Sequence, residues 1–177
     1  AAALDIDPEF CRNLKRIVIM GGSLGAGGNI TTAAEANIYH DPHAADFVFR
    51  KGCNITLVGL DVTNQVICPR SYFAQLATQS PKLGGLLHKM ADFYIDFYET
   101  VGKFEGCGMH DPSALIACST PELFVTEDHK LRVICSGDRS GETVSDQNLA
   151  AEAVKVCVGV NISLVKQKFF ENVAKLK

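Results

Sequence analysis

Two kinds of apolar pattern alternate along this chain. Short runs rich in β-branched residues are typical of buried parallel strands, and they occur at residues 16–20, 54–62, 131–135 and 153–160. Between them, apolar residues recur every three or four positions, which indicates amphipathic helices. Strands that alternate with helices predict an α/β fold with a mostly parallel central sheet flanked by helices.

The helical segments have recognisable starts. Residues 1–14 have a helical pattern interrupted near Asp7 and Pro8, and Asp41 followed by Pro42 predicts an N-capped helix that runs to residue 51. Further helices are expected at residues 69–79, 83–101 and 163–176, with a glycine-rich loop at 102–108 and a polar, turn-rich stretch at 136–148. The 83–101 helix has a broad apolar stripe, so core packing is the first expectation for Tyr94 and Tyr98, ahead of stacking on a ligand.

Composition narrows the class of protein. The chain has 177 residues, 47% of them hydrophobic and 21% charged, with a net charge of −3, and this predicts one domain over residues 1–177. Lysine and arginine are scattered, so a nucleic-acid-binding face is not expected. The pattern contains neither an apolar stretch long enough for a membrane span nor a signal peptide. We therefore expect a cytoplasmic protein.

Seven cysteines are present, and none belongs to a Cys-x-x-Cys pair. An odd number without paired spacing indicates neither a disulfide framework nor a zinc site. Because most of them lie in apolar runs, we expect small core residues in a reducing compartment.

A glycine-rich loop follows the first strand at residues 21–28. Its spacing fits neither a dinucleotide fingerprint nor a P-loop, since Asn29 and Ile30 stand where the latter needs Lys and Ser or Thr. The loop therefore predicts a ligand site of another kind at the carboxyl end of a strand.

Two sets of polar residues are candidates for chemistry. Asn29, Glu35 and Asn37 combine amides with a carboxylate, a set that suits sugar hydroxyls. Spacing alone favours the simpler explanation, a turn cap at Asn29 and a solvent-facing Glu35. His-Asp-Pro occurs twice, at His40 and at His110. Asp before Pro is a common helix start, so spacing does not rank the copies, but the glycine-rich segment before His110 favours a functional role there.

Three ordered motifs together resemble the inosine–uridine-preferring nucleoside hydrolase family. They are Asn29 with Ala33-Ala34-Glu35-Ala36-Asn37-Ile38-Tyr39 and Asp41-Pro42, then Ile55-Thr56-Leu57-Val58-Gly59-Leu60-Asp61-Val62-Thr63, then His110-Asp111-Pro112. The resemblance is dense from residue 14 to residue 123. It implies hydrolysis of the N-glycosidic bond of purine or pyrimidine ribonucleosides, assisted by Ca²⁺ in the full-length protein, and a homo-oligomer when the protein is complete.

The resemblance also assigns roles. Met20, Asn29, Glu35 and Asn37 are implied as substrate-binding residues, His110 as the catalytic group near the leaving base, and Asp111 as a metal ligand. The family's aspartate-rich amino-terminal motif does not occur in the sequence, so we expect an amino-terminally truncated domain whose Ca²⁺ site is incomplete. If the chain holds metal by itself, Asp61, Asp138 and Asp146 are further candidate ligands. The alternative is a catalytically inactive fragment or a non-catalytic nucleoside- or sugar-binding module.

Overall fold

The structure, a computed structural model, describes residues 1–7, 9–100 and 105–176. Its helices are α1 (Ala2–Ile6), α2 (Phe10–Asn13), α3 (Ala36–His40), α4 (Pro42–Phe49), α5 (Leu60–Thr63), α6 (Arg70–Gln79), α7 (Leu83–Thr100), α8 (His110–Ser119) and α9 (Ile162–Lys175), with a 3₁₀ turn at Pro121–Leu123. Its strands are β1 (Ile17–Met20), β2 (Ile55–Val58), β3 (Ile67–Cys68), β4 (Cys107–Gly108), β5 (Phe124–His129), β6 (Leu131–Val133), β7 (Thr143–Ser145) and β8 (Val154–Val160).

The central sheet has the strand order β1-β2-β8-β5. β1 and β2 are parallel neighbours, with Ile17 opposite Ile55 and Met20 opposite Val58, and β8 runs parallel to β2 on its other side. β5 pairs antiparallel with β8. The predicted α/β class and the adjacency of the first two strands are therefore confirmed, and helices flank the sheet.

An apolar core lies on each face of the sheet. Leu57 belongs to one buried cluster and Val58 to the other, because successive side chains leave a strand on opposite faces. Both side chains are at most 1% exposed. A strand buried on both faces explains why this segment is continuously apolar in sequence.

Two strand predictions need correction. The strand predicted at 54–62 ends at Val58, and residues 60–63 form helix α5 instead. The partner strand β1 ends opposite Val58, and the N–H of Leu60 donates to the carbonyl of Gly22 at 2.9 Å, so the chain turns away from the sheet there.

The sequence pattern did not predict strand β5, because most of its residues are exposed and polar on an edge strand. The run at 131–135 forms β6, which pairs with β7 outside the central sheet.

Helix α7 forms over the span predicted for it, Leu83–Thr100 among the described residues. Much of its apolar stripe is exposed. Its buried face consists of Gly84, Ala91, Ile95 and Tyr98. Leu86, Met90, Phe93, Tyr94 and Phe97 are exposed. The predicted last residue of this helix, 101, and part of the predicted loop at 102–108 lie outside the described residues.

The cysteine prediction was wrong at one pair. Cys11 of α2 and Cys53, just before β2, form a disulfide with their Cα atoms 5.0 Å apart. Local sequence spacing cannot show this pairing because the two residues are 42 positions apart. Cys68, Cys107 and Cys157 are buried thiols, as expected. In the part of the chain that the structure describes, no helix has the length and apolarity needed to cross a membrane.

Candidate active site

The candidate site begins where β1 ends. The chain leaves Met20 through Gly21 and Gly22, and Gly22 has a φ of 69°. A side chain at Gly22 would meet the Thr143 hydroxyl at 2.8 Å from its Cβ. Both the backbone conformation and the close approach require glycine here. The N–H of this glycine is a hydrogen-bond donor to the Glu35 carboxylate.

Glu35 is a buried polar side chain that accepts three backbone hydrogen bonds. It is 2% exposed, and one carboxylate oxygen accepts hydrogen bonds from the backbone N–H groups of Gly22 at 3.0 Å and Ile38 at 3.1 Å. The other oxygen accepts from the N–H of Asn37 at 2.9 Å. Glu35 is thus the N-cap of α3 and also fixes that helix to the end of β1.

Further contacts beside Glu35 link Asn37 with Met20 and Asn29 with Ala36. The Asn37 side-chain amide donates to the backbone carbonyl of Met20 at 3.3 Å and lies 3.4 Å from its sulfur. The Asn29 carbonyl oxygen accepts from the N–H of Ala36 at 2.8 Å. Met20 and Asn37 also line a cavity of about 260 Å³ on the β1 side of the sheet. The four residues expected to bind substrate therefore form one group.

Asp41 belongs to the His-Asp-Pro copy at His40, and it caps a helix as the sequence predicted. Its carboxylate accepts from the N–H of Ala44 at 2.9 Å and caps α4, which has Pro42 at its start.

His110 begins helix α8 and makes contacts through both ring nitrogens. Nδ1 lies 2.8 Å from the hydroxyl oxygen of Thr63, and Nε2 lies 3.2 Å from the phenol oxygen of Tyr98. Tyr98 in turn donates to the Tyr94 hydroxyl at 3.3 Å. Burial raises the pKa of Tyr98, and its hydrogen bond to Tyr94 adds to that shift, so its phenol is a neutral donor at physiological pH.

Beside this line of groups lies an apolar cavity of about 540 Å³. It is lined by Tyr94 from α7 and by Met109 and Pro112, which flank His110 and Asp111 in sequence. The expectation that Tyr98 packs in the core is correct, while Tyr94 is 43% exposed and faces this cavity. Sequence spacing missed the role of Thr63, although it lies within a motif that carried the family resemblance.

Asp111 lies in the first turn of α8, where the helix dipole favours a negative charge, and it is exposed. Among the described residues, no group of three or more His, Cys, Asp or Glu is placed to hold a metal ion. Ca²⁺ takes six to eight oxygens, and the described residues do not bring together a carboxylate group of that kind around Asp111.

Asp61 has a contact set that the sequence did not predict. Its carboxylate accepts from the N–H groups of Leu24 at 2.9 Å, Gly25 at 2.7 Å and Ala26 at 3.0 Å. These bonds fix the glycine-rich loop to helix α5. Since the oxygens already hold backbone donors, Asp61 is a loop anchor, and the earlier suggestion of a metal ligand is not supported by its contacts.

The two parts of the site are joined through α5. Glu35 binds Gly22, the Gly22 carbonyl binds Leu60 at the start of α5, and Thr63 at its end contacts His110. His110 and the polar group around Glu35 are therefore parts of one connected scaffold. It lies at the carboxyl ends of β1 and β2, the edge at which open α/β sheets bind ligands.

Comparison with known proteins decides the family. The profile of the inosine-uridine preferring nucleoside hydrolases matches residues 1–168. The chain belongs to this family. It is 40% identical over 149 residues to a probable uridine nucleosidase of Arabidopsis thaliana. This match covers 84% of the chain and 46% of the relative. It is also 41% identical over 140 residues to a non-specific ribonucleoside hydrolase of Salmonella schwarzengrund, covering 78% of this chain and 44% of that protein.

Solved nucleoside hydrolases share the fold. A purine-preferring ribonucleoside hydrolase from Gardnerella vaginalis superposes with a TM-score of 0.92 at 37% identity, over 98% of this chain and 56% of the other. The plant nucleoside hydrolase PpNRh1 gives a TM-score of 0.94 at 30% identity, over 98% of this chain and 58% of that enzyme. The chain therefore spans about half the length of the relatives it matches.

Proposed function

We propose that the protein to which this chain belongs hydrolyses the N-glycosidic bond of ribonucleosides and releases ribose and the free base. The observation that carries the proposal is His110, held between Thr63 and Tyr98 on the same scaffold as the polar group around Glu35. The names of the relatives include uridine-directed, purine-preferring and non-specific enzymes. The proposed substrate class is therefore ribonucleosides of either base type.

The proposed sugar subsite consists of Met20, Asn29, Glu35 and Asn37. A carboxylate offers about four acceptor positions, and backbone N–H groups take three of those on Glu35. One position is left for a ribose hydroxyl. The side-chain oxygen of Asn29 already accepts from the N–H of Ala36. Its side-chain NH₂ group is left to donate to a substrate hydroxyl. We assign these residues mainly the orientation of the sugar, a contribution that lowers the entropic cost of reaching the transition state.

His110 is the proposed acid at the leaving base. Its Nε2 contacts Tyr98, Tyr98 contacts Tyr94, and Tyr94 reaches the apolar cavity. An apolar cavity beside a hydrogen-bonded donor suits a departing nucleobase, because the base needs both an apolar surface and a proton. General acid assistance of this kind contributes roughly 10²–10⁴-fold to the rate.

We propose that the protein uses Ca²⁺ and that Asp111 is one of its ligands. Bound Ca²⁺ would supply charge that lowers the pKa of a water molecule and binds the ribose hydroxyls. Because Asp111 is the one metal carboxylate that the motif assigns, we further propose that the 177-residue chain by itself has weak Ca²⁺ affinity and no measurable hydrolysis.

The decisive experiment places this chain in a whole enzyme. We would replace the 149-residue matching region of the Arabidopsis relative with the aligned part of this chain. Release of free base from uridine, inosine and adenosine is then measured with and without Ca²⁺. Base release by this chimera supports the proposal. A folded chimera that binds nucleosides without turnover would favour the non-catalytic binding module instead.

Two variants of the chimera test the residue roles. Asp111→Ala should abolish turnover and Ca²⁺ retention, whereas Asp41→Ala removes only a helix cap and should cost about 1 kcal/mol of stability. Equal loss of turnover in both variants would contradict the assignment. The isolated chain is assayed in parallel, and turnover within tenfold of the Arabidopsis relative would refute the expected inactivity.

A further inference from the structure

Thr63 is a fully buried polar residue at the carboxyl end of helix α5. It is 0% exposed, and its neighbours Val62 and Val66 are equally buried. A hydroxyl in such surroundings needs a hydrogen-bond partner, since leaving it unpaired costs free energy. That partner is Nδ1 of His110, 2.8 Å away.

The Thr63 hydroxyl has little freedom to move because α5 is held at several points. Leu60 donates to the Gly22 carbonyl at 2.9 Å, and the Asp61 carboxylate binds three backbone N–H groups of the glycine-rich loop. The Gln65 side chain also donates to the Asp61 carbonyl at 2.7 Å. The contact with His110 is therefore made from a rigid support.

The direction of the hydrogen bonds follows from the tyrosines. Tyr98 donates its phenol hydrogen to Tyr94, so its oxygen is the acceptor toward His110. The tautomer that satisfies this contact carries the proton on Nε2 of His110 and donates it to Tyr98. In a neutral imidazole the other nitrogen is an acceptor, so Nδ1 accepts the hydrogen of the Thr63 hydroxyl.

We propose that Thr63 is a positioning residue that holds His110 as the Nε2–H tautomer and fixes its ring plane. The catalytic consequence rests on the proposed function: with its ring plane fixed, His110 presents Nε2–H toward the Tyr98–Tyr94 line and the apolar cavity. The neutral ring acts there as a hydrogen-bond donor, and the protonated ring, whose Nδ1–H the Thr63 oxygen can accept, acts as the proton donor. Thr63 itself touches neither substrate nor reacting atoms.

The tautomer is measurable without any enzyme assay. In ¹⁵N-labelled chain at pH 8.5, long-range proton–nitrogen correlation spectra distinguish Nδ1 from Nε2 protonation. Wild type should be predominantly Nε2–H. Thr63→Val removes the hydroxyl at nearly constant volume, and the Nε2–H to Nδ1–H ratio should fall about three- to tenfold, the worth of one hydrogen bond. Thr63→Ser keeps the hydroxyl and should keep the ratio.

The matched control is Thr143→Val. Thr143 is 4% exposed, and its hydroxyl has no hydrogen-bond partner among the described residues, so this variant removes a buried hydroxyl away from His110. The His110 spectrum of this control should match that of wild type. An unchanged ratio in Thr63→Val, or an Nδ1–H tautomer in wild type, would overturn the proposal. Where Thr63→Val fails to fold, the same ratio is measured in Thr63→Ala, which also lacks the hydroxyl and should show the same fall.

The catalytic consequence is tested separately in the active chimera. Thr63→Val should lower kcat about tenfold with KM unchanged, and Thr63→Ser should restore it, because the hydroxyl acts on the base-leaving step. An inactive chimera would contradict the proposed function while the tautomer result still stands. A changed tautomer with unchanged kcat would overturn the catalytic role of Thr63.

Discussion

Replacing Glu35 by glutamine tests whether this side chain organises the site through the backbone. The carboxylate accepts three backbone N–H groups, two at one oxygen and one at the other. The amide oxygen of glutamine can retain the two bonds to Gly22 and Ile38. The amide nitrogen would then face the N–H of Asn37, so that two donors oppose each other in a partly buried position.

The expected cost follows from these contacts. The hydrogen bond to the Asn37 N–H is lost, and that partly buried donor is left facing another donor. A hydrogen bond to a charged group is worth roughly 1.5–3 kcal/mol. The two remaining bonds weaken as their acceptor loses its charge, while the smaller desolvation cost of the neutral amide offsets part of the loss. We expect Glu35→Gln to lower the free energy of unfolding by about 3 kcal/mol, which corresponds to a fall in Tm of about 6–12 °C for a chain of this size.

Urea unfolding followed by circular dichroism measures this change, and Asp41→Asn is the control. Asp41 is also a helix N-cap, but it is exposed and accepts one backbone N–H. Asparagine caps as well as aspartate, so the control should change stability by less than about 0.5 kcal/mol. A Glu35→Gln chain as stable as wild type would refute the account of Glu35 as a backbone anchor and would leave only its proposed contact with ribose.

Three further expectations concern other contacts. Asp61→Asn should speed hydrogen exchange at the three loop amides bound by this carboxylate, with little change elsewhere, as measured by mass spectrometry. Reducing the Cys11–Cys53 disulfide, which closes a 42-residue separation, should raise the titratable thiol count by two and cost up to about 4 kcal/mol of stability; unchanged melting after reduction would argue against the bond. Burial raises the pKa of Cys68 to about 12 and that of Cys157 to about 11, so unfolded thiols ionise first and stability should fall as pH rises above about 9. Unfolding curves at pH 8 and pH 10.5 check the sign.

The sequence alone determined the features that depend on local pattern. Buried strands flanked by amphipathic segments specified the parallel pair β1–β2, because continuous apolar runs cannot remain at a surface. Asp41 followed by Pro42 specified a helix start, because the cap satisfies N–H groups only three residues away. The ordered motifs gave the family and grouped Asn29, Glu35 and Asn37, all within nine residues of each other along the chain.

Only the tertiary structure decided what those residues contact. Glu35 binds Gly22 across 13 positions, Asp61 binds the glycine-rich loop across 36, and Thr63 meets His110 across 47. The exposed face of α7 and the position of β8 between β2 and β5 likewise depend on neighbours distant in sequence. Periodicity reports which side of an element is apolar. It does not report which partner a buried polar group finds, because that hydrogen bond is selected only when separate elements pack together.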